Sequence, residues 1–215
     1  MKQEDTKQKI LENSLELFSA RGYDSVSVGE IARATGIKAP SLYNHFPSKQ
    51  AIFDALVEST AAKYEADTDK IHIHVQNVSQ DIPLFTEITE DALFEKVRQI
   101  FAYSLHNEAI SRFRRMMTIE QFRSPELAAI YSRRYVERIL DYHADIFRAL
   151  IAAGEIAAED PDTLAMLYVA PVLTLIGVCD RQPERESECL EKLRRHVSLF
   201  FRMVHGGASQ GGAEQ

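Results

Sequence analysis

The fold is decided by Ser25–Phe46, SVSVGEIARATGIKAPSLYNHF. Ser27-x-x-Glu30 is a capping box: hydroxyl and carboxylate each satisfy a free backbone N–H, so a helix is predicted to begin at Val28. Val28, Ile31 and Ala32 share one face at helical spacing, and Gly36 suits the left-handed conformation that ends a helix. Pro40 is tolerated in an opening helical turn, which predicts a second helix turning Leu42 and Phe46 into a small core. The opposite face carries Lys38, Ser41, Tyr43, Asn44 and His45, none of them core material. Pro47 drives Phe46 out of the helical region, and Ser48 is placed to cap the next helix. Two short helices joined by a glycine-containing turn form a helix-turn-helix, which can set its second helix in the major groove of DNA. Helical hairpins without DNA-binding activity share this spacing, so both readings stay open until the flanks are read.

Upstream, Ile10, Leu11, Leu15 and Phe18 form an amphipathic stripe that ends at Arg21-Gly22-Tyr23, a helix able to brace the pair from behind. From about Thr6 to Leu56 the chain now resembles the N-terminal domain of the tetracycline-repressor (TetR) family. The matching elements are Ile10-Leu11-x-x-Ser14-x-x-Leu17-Phe18, Arg21-Gly22-Tyr23, Ser27-Val28-x-x-Ile31-Ala32, Ala34-x-Gly36-Ile37 and Leu42-Tyr43-x-His45-Phe46-x-Ser48-Lys49. The resemblance implies a dimeric transcription factor, usually a repressor released from a palindromic operator by a small ligand. Carried over by position, it implies DNA contacts from Ser27 and Val28 at a helix N-terminus, where backbone N–H groups favour phosphate. Lys38, Ala39, Pro40 and Ser41 would lie nearest the base edges, while Tyr43, Asn44, His45 and Lys49 would hold the DNA backbone. Pro40 departs from the small or polar residue frequent there, which puts base contact at that position in question.

Charge alone does not indicate DNA. The chain carries 25 Lys+Arg against 32 Asp+Glu, a net charge of −7, the wrong sign for a generic nucleic-acid binder. Its distribution is more telling, because residues 1–50 hold seven basic against six acidic groups, a net of +1, leaving −8 for the remainder. A near-neutral head on an acidic body limits non-specific binding, which scales with the phosphates neutralised.

With 215 residues, 45% of them hydrophobic, there is enough chain for two domains. The expected fold is all-α: a three-helix helix-turn-helix domain at 1–50 (motif 27–46), a larger helical ligand-binding and dimerisation domain at 51–205, and a flexible tail at 206–215. The charged start MKQEDTKQ is not a signal peptide, so a cytoplasmic location is expected. Cys179 and Cys189 lack zinc or redox spacing and read as small buried hydrophobes, with a redox role left open. His72-x-His74 lacks a nearby acidic or thiol partner, so surface histidines are expected and no metal or other cofactor is assigned.

A long helix from Ser48 to about Lys70 is expected to connect head and body, followed by a loop through Glu90. Further helices are predicted over Asp91–Leu105, Glu108–Phe122 and from Pro125 to about Ala153. These carry Phe101, Tyr103, His106, Phe113, Met116, Met117, Glu120, Tyr135, Tyr142 and Phe147, from which an apolar ligand pocket would draw. Ordinary core is the competing reading for each, and Glu120 would recognise a cation or simply make a salt bridge. The run Leu164–Val178 is apolar almost all round yet interrupted by Pro171 and Thr174, so a doubly packed helix is expected rather than a membrane span. Leu190, Leu193, Val197, Phe200 and Val204 form a stripe on the last helix. With Leu173 and Ile176 they are the expected interface of a homodimer, built as a four-helix bundle.

There is no GxxxxGK[ST] loop, GxSxG elbow or HExxH pair, and the reading is not an enzyme. It is a DNA-binding dimeric repressor released by a small ligand. The alternatives are a TetR-like activator or ligand-independent regulator, or a helical ligand-binding or catalytic protein whose head no longer functions.

Overall fold

The computed structural model describes residues 2–69, 74, 77–86, 88–122 and 125–206. Eleven α-helices are described: α1 (Lys2–Arg21), α2 (Val28–Thr35), α3 (Ala39–Tyr43), α4 (Lys49–Asp69), α5 (Ile82–Phe85), α6 (Glu90–His106), α7 (Glu108–Glu120), α8 (Pro125–Ser132), α9 (Arg138–Ala153), α10 (Pro161–Arg181) and α11 (Glu186–Gly206). Among the described residues there is no strand, in line with the all-α expectation. His72 and the tail beyond Gly206 lie outside the described residues.

The chain divides into two compact units, Met1–Asp67 with Asn107–Tyr131, and Thr68–His106 with Ser132–Gln215. The first unit is therefore larger than the three-helix domain expected over 1–50. The reason is packing. Helices α1 to α3 are too few to close a core, and α4 supplies Ile52, Phe53 and Leu56, all nearly fully buried. Helix α7 packs on α1 and buries Ile110, Phe113, Met116 and Met117, residues spaced to share one face. Phe18, Tyr23 and Phe53 form an aromatic knot in this unit, with neighbouring centroids 5.2 Å apart on either side of Tyr23.

The second unit is a bundle in which α10 packs on α9, α11 and α6. Its core takes Leu93, Val97 and Phe101 from α6, Ile146, Phe147 and Leu150 from α9, and Leu164, Tyr168 and Ile176 from α10. Asp160 caps α10 by accepting from the Thr163 N–H at 2.8 Å, with Pro161 in the first turn. The helix expected from Pro125 to Ala153 is interrupted by one π-helical turn, Arg133–Glu137, and stops at Gly154, whose φ of 76° lies in the left-handed region.

Among the described residues α10 is the one helix long and apolar enough to cross a membrane. Its buried face belongs to the bundle core, whereas Met166 and Leu167 are about half exposed, at 51% and 48%. Cys179 and Cys189 are buried free thiols, and burial beside Cys189 pushes the Cys179 thiol up to about 12, so it stays protonated and packs as an apolar group.

The expected dimer interface needs correction on the same ground. Ile176, Leu193, Val197, Phe200 and Val204 are buried in the core of their own chain, with Leu193 and Val197 at 0% exposure. Leu173 and Leu190 pack against that core as well. The stripe faces inward because one chain alone already presents α6, α9 and α10 to bury it. The apolar surface left open on α11 is Leu199 and Met203, on the other side of the helix.

Candidate nucleic-acid interface

The capping box forms as read. Ser27 Oγ accepts from the Glu30 N–H at 3.2 Å, and the Ser27 N–H donates to Glu30 Oε2 at 2.8 Å. Arg21 adds a 2.7 Å ion pair to the same carboxylate. The backbone and hydroxyl hydrogen bonds from Ser27, then that of Arg21, hold Glu30 down at about 2. Gly36 at φ 74° ends α2, and its N–H reaches back to Ala32 and Arg33 carbonyls. The turn into α3 is thus fixed from both sides.

Helix α3 spans only five residues, with Lys38 at its N-cap in extended conformation and Pro40 in its first turn. Leu42 is fully buried and Phe46 nearly so, which fastens α3 to the unit's core. That leaves Lys38, Pro40, Ser41, Tyr43 and Asn44 exposed, and Ala39 half-buried. Tyr43 is 53% exposed, far more than an aromatic serving only as core. Ser27 is exposed and Val28 half-buried at the start of α2. Of the ten residues proposed to meet DNA, six are therefore exposed and Val28 and Ala39 half-buried.

The other two are Lys49 and His45. Lys49 Nζ donates to the Tyr23 and Val26 carbonyls, both at 3.0 Å, and stands 4.2 Å from the Tyr23 ring centroid. Its ammonium is occupied in bracing the turn before α2. His45 is half-buried with Nδ1 sealed off and without a partner, so that side of its ring faces protein.

Sequence reasoning missed the groups that hold this head in place. Glu120, at the end of α7 and 1% exposed, accepts from the Tyr23 N–H at 2.9 Å across 97 residues of chain. Tyr23 Oη meets Gln50 Oε1 at 3.1 Å, and burial raises the Tyr23 hydroxyl above its ordinary pKa, with Asp54 and Asp24 adding to it. A signal for Glu120 did exist: it continues the 110, 113, 117 spacing of the buried face of α7.

The expected pocket set is divided. Phe113, Met116, Met117 and Glu120 belong to the first unit, where Glu120 accepts from the Tyr23 N–H. His106 is exposed and paired with Glu186 at 2.9 Å. Tyr135 lies in the π-helical turn with the Arg134 guanidinium 6.0 Å from its ring, and Tyr103 is half-buried. Phe101, Tyr142 and Phe147 share the core of the second unit. Beside them His143 contacts the Tyr142, Phe147 and Tyr168 rings. Among the described residues no group of three or more His, Cys, Asp or Glu could hold a metal ion; His74 instead pairs through Nδ1 with Asp81 at 2.5 Å.

Comparison with known proteins gives this geometry a family. Residues 10–56 match the family described as bacterial regulatory proteins, tetR family, and residues 91–203 match the AefR-like transcriptional repressor C-terminal domain. The "Probable HTH-type transcriptional regulator YttP" of Bacillus subtilis is 25% identical over 199 residues, 92% of this chain and 87% of that one. IcaR of Staphylococcus aureus, a negative transcriptional regulator of the biofilm operon icaADBC, is 44% identical over 52 residues, 24% of this chain and 28% of its own. A TetR-family regulator from Mesorhizobium loti shares the fold with a TM-score of 0.67 at 22% identity, covering 95% of this chain and 99% of its own. With the head matched and more than half of the chain matched again to a repressor domain, this protein belongs to the TetR family of DNA-binding transcriptional regulators and is not an enzyme.

Proposed function

We propose that the protein is a cytoplasmic repressor that binds a palindromic operator as a homodimer and leaves it when a small molecule occupies the second unit. The observation that carries the reading is α3 itself: Leu42 locks it to the core while Lys38, Ser41, Tyr43 and Asn44 stay exposed on one short helix. The repressor sense is supported by the AefR-like repressor domain and by the resemblance of the head to IcaR, a negative regulator. Lys38 serves base or phosphate, and Ser27 and Val28 offer the N-terminus of α2 to phosphate.

A five-residue recognition helix contacts few bases, so a second copy is needed for affinity. The surface for that copy is the apolar set Met166, Leu167, Leu199 and Met203 on α10 and α11, each 47% exposed or more. These four large apolar side chains lie on helices that pack together, and an isologous contact would cover them on both protomers. Ligand entry would alter the separation of the two α3 helices from the roughly 34–36 Å between successive major grooves. By linkage, operator binding must weaken ligand binding by the same factor.

Leu199→Glu tests the assembly. Sedimentation is expected to find folded monomers with operator affinity reduced at least about tenfold, since 1.4 kcal/mol of lost pairing is enough for that. Leu193→Glu, buried at 0% exposure, is expected to unfold the second unit instead. A dimer that persists in Leu199→Glu would put the interface elsewhere.

A further inference from the structure

Positions 7, 10, 14 and 18 of α1 follow one another at helical spacing, and Ile10, Ser14 and Phe18 are all 0% exposed. Lys7 therefore leaves the helix on the face turned to the core, one turn before that core begins. Its Nζ lies over the Phe46 ring, 5.7 Å from the centroid, and Phe46 is itself buried. Lys7 as a whole is exposed, so the ammonium is held at the rim of the core and still reaches water.

A positive charge thus stands where the recognition motif ends. Phe46 comes three residues after Tyr43, the last residue of α3, and Tyr43 and Asn44 are exposed there. Lys38, also exposed, stands at the opposite end as the N-cap of α3. Helix α3 has five residues, about 7.5 Å of length against a major groove about 12 Å wide. Groups beyond its ends are therefore the ones placed to meet the phosphate walls, and Lys38 and Lys7 are such groups. Two other cations of the head are engaged within the protein: Arg21 pairs with Glu30 at 2.7 Å, and Lys49 holds two carbonyls. With residues 1–50 summing to +1, each remaining cation counts against phosphate.

Resting on the operator-binding reading above, we infer that Lys7, although it lies outside the helix-turn-helix, is a DNA contact whose ammonium neutralises one backbone phosphate per protomer beside the Phe46 end of the motif. A compact charge on a long stem suits a phosphate oxygen, and such a contact fixes register without reading sequence. Lys9 is also exposed but sits about 200° round the same helix, on the side turned away from Phe46, and takes no part.

The test measures affinity against salt for the full chain on two duplexes, the one that wild type selects from a random pool and a scrambled version of it. Lys7→Met and Lys7→Gln both remove the charge, the first keeping an apolar stem over Phe46; Lys7→Arg keeps the charge; Lys9→Gln removes one from the other side of α1. Urea unfolding checks that each variant is folded. Both neutral Lys7 variants are expected to lower the slope of log K on log[salt] by about 0.9 per bound protomer on both duplexes, which shrinks their deficit about 3.5-fold per protomer between roughly 50 and 200 mM salt. Lys7→Arg and Lys9→Gln are expected to keep the wild-type slope. An unchanged slope in the folded neutral variants overturns the contact and leaves the operator-binding reading standing. A loss confined to the selected duplex would make Lys7 a base contact, and an equal drop in Lys9→Gln would reduce it to the diffuse field of the head; either result overturns the proposal. Wild type that binds no duplex in the pool overturns both the contact and the reading it rests on.

Discussion

Lys49 illustrates how one side chain's partners change what it does. A lysine at the start of a helix beside a DNA-reading motif invites assignment to phosphate, but two carbonyls and the Tyr23 ring hold its ammonium. Lys49→Ala is expected to destabilise the head by about 1–3 kcal/mol in urea unfolding, with little change in the salt dependence of operator binding. Lys38→Ala should do the reverse, reducing the salt slope by about 1 if it meets phosphate, or relaxing base preference at one position if it meets a base. A Lys49→Ala slope lowered by about 1 with stability intact would mean that Lys49 leaves its carbonyls for DNA. His143 makes a pH prediction. Its folded pKa, about 4, lies below the unfolded value near 6.5, so unfolded chains bind the proton first. Its contribution to stability is complete above pH 6.5 and is lost as pH falls towards 4, by at most about 3 kcal/mol. Thermal melts of His143→Phe should lack that component; an identical pH profile would show the ring to be solvated.

At the scale of elements, α7 is the piece that the first unit borrows from far along the chain. Its Glu120 carboxylate holds the Tyr23 amide, and Tyr23 in turn carries Lys49, Gln50 and the aromatic knot. Glu120→Ala is expected to speed hydrogen exchange at the Tyr23 amide and to weaken operator binding, whereas Glu120→Gln keeps an acceptor and should preserve both. Unchanged exchange in the alanine variant would remove Glu120 from the turn. The same helix marks the limit of what the sequence discloses. Caps and stops at Ser27, Gly36, Ser48 and Gly154 are local chemistry, and each is found where its residue type predicts. The Tyr23–Glu120 bond joins positions 97 residues apart, and no local pattern pairs them. Helical periodicity identifies the buried stripe of α11 but not its partner, so Leu193 and Val197 read as an interface although their own chain covers them.

For the whole molecule, two compact units share one chain, one presenting α3 and the other presenting Met166, Leu167, Leu199 and Met203. The helix-turn-helix was legible because it is confined to about twenty consecutive residues with strong turn chemistry. The aromatic cluster of the second unit was not, because His143, Phe147, Tyr168 and Phe200 come from three helices. A head with near-zero net charge has little non-specific attraction to lean on, and the dimer proposed above would read with two α3 helices together. The most direct measurement is therefore to select the tightest-bound duplex from a random pool and weigh the complex it forms. The account expects a palindrome with half-site centres about 10–10.5 bp apart, or a multiple of that, bound by an even number of protomers. A non-palindromic site saturated by a single protomer would contradict it.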